Sequence, residues 1–119
     1  MLIDIDHVQL AMPKGEEQAA RFFYGDALGL KEIEKPENLR ARGGVWFVLG
    51  TRQVHLGVEA NFTPATKAHP GFVVRDLDLL RERLVSAGFP VIEDESRPGY
   101  ERFYSKDPFG NRLEFLRSL

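Results

Sequence analysis

Two stretches of one kind decide the fold: residues 19–33, AARFFYGDALGLKEI, and residues 80–92, LRERLVSAGFPVI. Each carries an amphipathic helix into a glycine and then directly into a short apolar run. In the first, Ala19, Ala20, Phe23, Ala27 and Leu28 recur at helical spacing before Gly29. In the second, Leu80 and Leu84 continue from Leu77 the stripe that ends before Gly88, and Asp76, just ahead, stands where a short acceptor side chain caps the free donors of a first turn.

The flanks of both stretches read alike. Before the first helix (16–28), residues 3–10 alternate apolar and polar and are closed by Pro13 and Gly15, which predicts a strand. After it come three short runs, 31–34, 44–49 and 53–58, separated by Pro36 and the Gly50-Thr51-Arg52 turn. The pattern restarts at 69–74 and, after the second helix, continues through 91–94, 100–106 and 112–116. The turn Asp107-Pro108-Phe109-Gly110-Asn111 joins the last two. The prediction is one α+β domain of two βαβββ modules, about 1–58 and about 68–119, with a polar linker at about 59–67. Four strands and one helix are too few to cover both faces of a sheet, so the modules are expected to pair and form a concave, partly closed sheet around a central cleft. A homodimer is expected for the same reason.

Composition narrows the function. Sixteen basic against eighteen acidic residues give a net charge of -2, without the cationic excess that phosphate-backbone binding needs, so nucleic acid is not an expected partner. The absence of cysteine removes disulfide frameworks, thiolate zinc sites and cysteine nucleophiles. The start MLIDIDHVQLAMP has no basic region ahead of a long apolar run, and no stretch is long enough to span a bilayer. These features suggest a cytoplasmic protein acting on a small molecule, with no membrane partner.

The chain has three histidines, and their places in the repeat carry chemistry. His7 falls in the first strand of module 1 and His55 in its last; His69 falls in the first strand of module 2, and Glu114 in its last. Because alternate strand residues face opposite ways, His7 and Gln9 oppose Val8 and Leu10, His55 opposes Val54 and Leu56, and Glu114 opposes Leu113 and Phe115. Three imidazoles and a carboxylate on the faces away from the helices suit one divalent transition metal, such as zinc, nickel, cobalt, manganese or iron, better than magnesium or calcium. Arg102 and Tyr104 share a face with the cleft and would orient a substrate oxygen. Trp46 would either wall an apolar substrate or simply pack. The charge-rich segment 31–42 reads as solvated, with Arg40 or Arg42 bordering the cleft.

The duplicated order, the HVQL start, the FFYGDALGL helix end and the closing DPFGNRLEF resemble the vicinal oxygen chelate superfamily over essentially the whole chain. That superfamily includes glyoxalase I, fosfomycin-resistance enzymes, extradiol dioxygenases and bleomycin-resistance proteins. The resemblance implies metal ligands at the first and last strands of each module, here His7, His55, His69 and Glu114. Tyr104 matches the tyrosine before the last hairpin of the fosfomycin enzymes, which usually have threonine where Gln9 stands. The expected catalytic groups are Glu114 and Tyr104, and the expected substrate contacts are Gln9, Trp46, Arg102 and Tyr104. Ala11 stands where glyoxalase I usually has an arginine for glutathione, and no histidine is left over for the acid–base role of extradiol enzymes. The implied activity is a glyoxalase-like lyase or isomerase acting on adjacent oxygens. The alternatives are a metal-free binding protein of the bleomycin-resistance type or a dioxygenase.

Overall fold

The computed structural model describes residues 1–119 and divides into two compact units, Met1–Thr63 and Pro64–Leu119. The first contains β1 (His7–Met12), α1 (Glu17–Ala20) continuing as a π-helical segment (Arg21–Ala27), β2 (Lys31–Ile33), a 3-10 segment (Glu37–Arg42), β3 (Val45–Leu49) and β4 (Arg52–Val58). The second contains β5 (Gly71–Val73), α2 (Leu77–Ser86), β6 (Ile92–Glu93), β7 (Tyr100–Lys106) and β8 (Arg112–Ser118). Each unit forms one four-stranded sheet, in the order β1-β4-β3-β2 and β5-β8-β7-β6. In both, the first strand runs parallel to the last and the other pairings are antiparallel. The predicted pair of βαβββ modules is present. No helix is long and apolar enough to cross a membrane.

Alternation decides which sheet face is buried. Leu10, Met12, Val45, Phe47, Val54 and Leu56 are buried in unit 1 with Phe23, Tyr24 and Ala27 of the helical segment, and the Tyr24 and Phe47 rings lie 5.8 Å apart. In unit 2, Leu77, Leu80 and Leu84 of α2 are buried with Phe103, Leu113 and Phe115, and the last residue's ring lies 5.4 Å from that of Phe103. Each fully buried side chain of this size contributes about 1.5–3 kcal/mol. A one-residue slip of β4 or β8 would forfeit several at once, which fixes the register and the residues on the opposite face. Asp76 caps α2 as predicted, accepting from the Leu79 amide at 3.0 Å.

Several boundaries differ from the sequence expectation. β1 begins at His7, not residue 3, because β4 starts at Arg52 directly after a turn and offers no ladder partner before Asp6, whose carbonyl accepts from the Gln53 amide. Ile3 and Ile5 are exposed. β5 spans only Gly71–Val73, so His69 precedes it, and Pro70 lacks the N–H needed to carry the ladder back. Segment 31–42 is not simply a solvated loop: Pro36 leads into the 3-10 segment, and Gly43 at φ +75° turns the chain out of it.

Candidate metal centre and ligand face

Strand register builds the site of unit 1. Gln9, His55 and Trp46 are ladder partners across β1, β4 and β3, and His7 lies one same-face position before Gln9. The Trp46 indole stacks on the His55 imidazole at 3.7 Å with 1° between the planes, and the His7 ring lies on it at 4.3 Å and 20°. His55 therefore points away from the apolar core and is still only 4% exposed. Burial, followed by the unfavourable interaction of a protonated His55 with His7 and a smaller one with Lys35, outweighs Asp6 and holds its pKa below the usual imidazole value. The neutral form predominates at pH 7.

Unit 2 repeats this ladder with other side chains. Gly71, Glu114 and Tyr104 are partners across β5, β8 and β7, and His69 lies two residues before Gly71. His7 and His69, His55 and Glu114, and Trp46 and Tyr104 thus occupy corresponding places. Glu114 is 6% exposed. Its Oε1 lies 2.9 Å from His69 Nε2, and its Oε2 accepts from Arg102 Nη1 at 3.2 Å. Burial alone would raise the Glu114 pKa, but the hydrogen bonds and charges of His69 and Arg102 outweigh it and hold the carboxyl below its ordinary range. Arg102 also donates to Ser96 Oγ at 2.9 Å and approaches Asp94 at 3.4 Å, while its buried Nε has no partner. The Tyr104 ring meets the His69 ring edge-on at 5.2 Å and carries the Arg112 guanidinium 4.0 Å over its face.

The donors fit a borderline divalent ion in kind and protonation, with three imidazoles, His55 held neutral, and a carboxylate held ionised. Each imidazole has one nitrogen turned to a neighbouring acceptor, which leaves the other for a ligand in His7 and His55, whereas the second nitrogen of His69 is the one that meets Glu114. His7 Nδ1 faces Asp6 Oδ2 at 3.0 Å, His69 Nδ1 faces the Lys67 carbonyl at 3.0 Å, and His55 Nε2 faces Gln53 Oε1 at 2.8 Å. This is the outer-shell arrangement of ligating histidines. The donors stand as two pairs, and no group of three or more is drawn together. The His7 and His55 planes are too nearly parallel to meet at an ion about 2 Å from a nitrogen of each, so ligation needs one ring to turn. His7, at 42% side-chain exposure, is freer to do so than buried His55.

The structure adds residues that sequence reasoning left out. Lys35 lines two clefts of unit 1 beside Trp46. One, of about 260 Å³, is bordered by Gln9, Lys35, Leu39, Arg42, Trp46 and Val58. Arg42 was legible as a border residue, whereas Lys35 and Arg112 carried no periodic signal.

Residues 4–115 match the family model described as Glyoxalase/Bleomycin resistance protein/Dioxygenase superfamily. Among solved structures, a Bacillus anthracis protein assigned to the glyoxalase family is 50% identical, with a TM-score of 0.96, over 100% of this chain and 98% of that one. A glyoxalase/dioxygenase from Nostoc punctiforme shares the fold at 20% identity and a TM-score of 0.79, over 98% of this chain and 91% of that one. Lactoylglutathione lyase from Agrobacterium tumefaciens does so at 22% and 0.75, over 97% of this chain and 93% of that one. None of the curated proteins matches the chain.

Proposed function

The chain belongs to the glyoxalase/bleomycin resistance protein/dioxygenase superfamily, and from that premise we propose that it is a glyoxalase-like lyase or isomerase dependent on a divalent transition metal. Its substrate is a small molecule with adjacent oxygens. His7, His55, His69 and Glu114 are the proposed ligands. The observation that carries this reading is their pairing at corresponding ladder places, with His55 held neutral and Glu114 held ionised. When bound, the ion supplies Lewis acidity toward the substrate oxygens.

The chain supplies orientation and proton transfer. Asp6, Gln53 and the Lys67 carbonyl hold the imidazoles in place. The unpaired Arg102 Nε–H, the Tyr104 hydroxyl and the Gln9 amide are donors for substrate oxygens. Glu114 is the proposed acid–base group: its carboxylate accepts a proton from the carbon beside a carbonyl and returns it to the neighbouring carbon, leaving the overall reaction redox-neutral.

The near-parallel His7 and His55 rings favour a second reading, a metal-free small-molecule binder of the bleomycin-resistance type. Elemental analysis of protein purified without chelator separates the two. The metal reading expects about one ion per chain, strongly reduced in His7→Ala and Glu114→Ala. The same trace content in all three proteins refutes it.

A further inference from the structure

Electrostatic imbalance in unit 1 identifies a ligand class. Two clefts flank Trp46 and share Lys35. In one, two of the three cations are paired with carboxylates of the same lining, Arg21 with Glu32 at 2.9 Å and Arg40 with Glu34 at 3.6 Å. The other, of about 260 Å³, is lined by Lys35 and Arg42 and by no aspartate or glutamate. Neither cation belongs to any of the chain's ion pairs; the Lys35 ammonium donates to the Gly43 carbonyl. The carboxylate that feels the Lys35 charge, Glu17, is engaged by the Gly44 amide at 3.0 Å and does not line this cleft.

The remaining wall is apolar, formed by Leu39, Trp46 and Val58, with the Gln9 amide as its neutral polar group. A Cβ on Gly57 would lie 2.6 Å from Gln9 Nε2, so the amide takes up the space that a side chain at residue 57 would need. Two cations outside any ion pair, beside an aromatic surface, form a receptor for an organic anion. The volume, at the small end of ligand sites, suits a one-ring or short-chain acid.

We propose that this cleft binds a small organic carboxylate, with Lys35 and Arg42 on the carboxylate and Trp46 against the apolar body. This rests on the preceding reading only in taking the Trp46 face as the ligand face, and it needs no metal. Trp46 is the only tryptophan, so its fluorescence reports the site. The test titrates phenylacetate and its neutral isostere phenylacetamide into chelator-treated protein. The expected result is saturable binding of phenylacetate, at least tenfold weaker binding of phenylacetamide, and at least tenfold weaker phenylacetate binding in both Lys35→Met and Arg42→Met. Equal affinity for acid and amide, no response to phenylacetate, or wild-type affinity in Arg42→Met overturns the proposal. If Lys35→Met melts early through loss of its bond to Gly43, Arg42→Met decides, since Arg42 is exposed. Metal content measured before chelation keeps the two readings apart. Metal-free protein that selects phenylacetate defeats the metal reading alone, and metal-bearing protein that ignores phenylacetate defeats this one alone.

Discussion

Replacing Gly44 with alanine should damage the site from its scaffold, and the structure gives the size of the effect. Gly44 lies between the cationic 35–43 segment and the strand that carries Trp46, at φ +88°. A Cβ there would fall 2.1 Å from the Leu56 carbonyl oxygen, well inside any real carbon–oxygen contact, and that atom is backbone in a paired strand. Left-handed strain costs about 1–3 kcal/mol and the forced shift about as much again, giving roughly 2–6 kcal/mol. For a chain of this length that corresponds to a fall in Tm of about 10–25 °C. Gly50 is the internal control: it also has positive φ, +58°, but nothing lies within 4 Å of its added Cβ, so Gly50→Ala pays only strain of about 1–2 kcal/mol. Thermal melts followed by far-UV circular dichroism compare the two variants. If Gly44→Ala melts within about 2 °C of Gly50→Ala, the close approach to Leu56 is not a determinant of this fold.

Glu17→Gln should flatten the acid limb of the stability curve. The Gly44 amide, opposed by burial and aided by Arg21 and Lys35, holds the Glu17 carboxyl below its ordinary value of 4.5, so its contribution is complete above that value and is lost as pH falls through the lowered one. Denaturant melts in which wild type and variant lose stability in parallel below pH 4.5 would contradict this. Leu84→Ala, at a fully buried position of α2, should cost about 2–5 kcal/mol in the same melts, and a loss under 1 kcal/mol would mean the stripe does not anchor the helix. In a panel of α-oxo and α-hydroxy acids, chelator should abolish turnover, and Glu114→Gln should weaken it more than Tyr104→Phe; the reverse order would remove Glu114 from the acid–base role. Light scattering at micromolar concentration should give twice the 13.5 kDa chain mass, and a monomer alone would refute the proposed homodimer.

The repeat was legible because apolar spacing fixes each element against its neighbours, and the same alternation placed His7, His55 and Glu114 away from Leu10, Leu56 and Phe115. What escaped depends on partners distant in sequence. Ile3 and Ile5 alternate as well as any strand residues, yet no strand lies beside them, so periodicity alone overextended β1. The π-helical stretch Arg21–Ala27 keeps Phe23, Tyr24 and Ala27 buried as an ordinary helix would, and its pattern does not betray the wider turn. The Arg102–Glu114 contact and the Trp46–His55–His7 stack follow from ladder register, which the sequence constrains only through pairings it does not state.

The shared register also explains why the small cleft occurs in unit 1. If Trp46 corresponds to Tyr104 and His55 to Glu114, then Gly44 and Gly57 correspond to Arg102 and Leu116, and Gln9 corresponds to Gly71. In unit 2 the Leu116 side chain comes within 3.7 Å of where a Gly71 Cβ would be, while Arg102 reaches Glu114. In unit 1 both filling side chains are absent: the Gln9 amide crosses over Gly57, and Gly44 lets the chain pass close to Leu56 and frees the space beside Trp46. The same backbone ladder therefore yields two different faces. One holds its carboxylate within a network of arginine, aspartate and serine, and the other leaves Lys35 and Arg42 outside any ion pair. Substitutions at Lys35 or Arg42 should therefore change only the charge of the unit 1 face, and substitutions at Arg102 or His69 only the ionisation of Glu114 in unit 2.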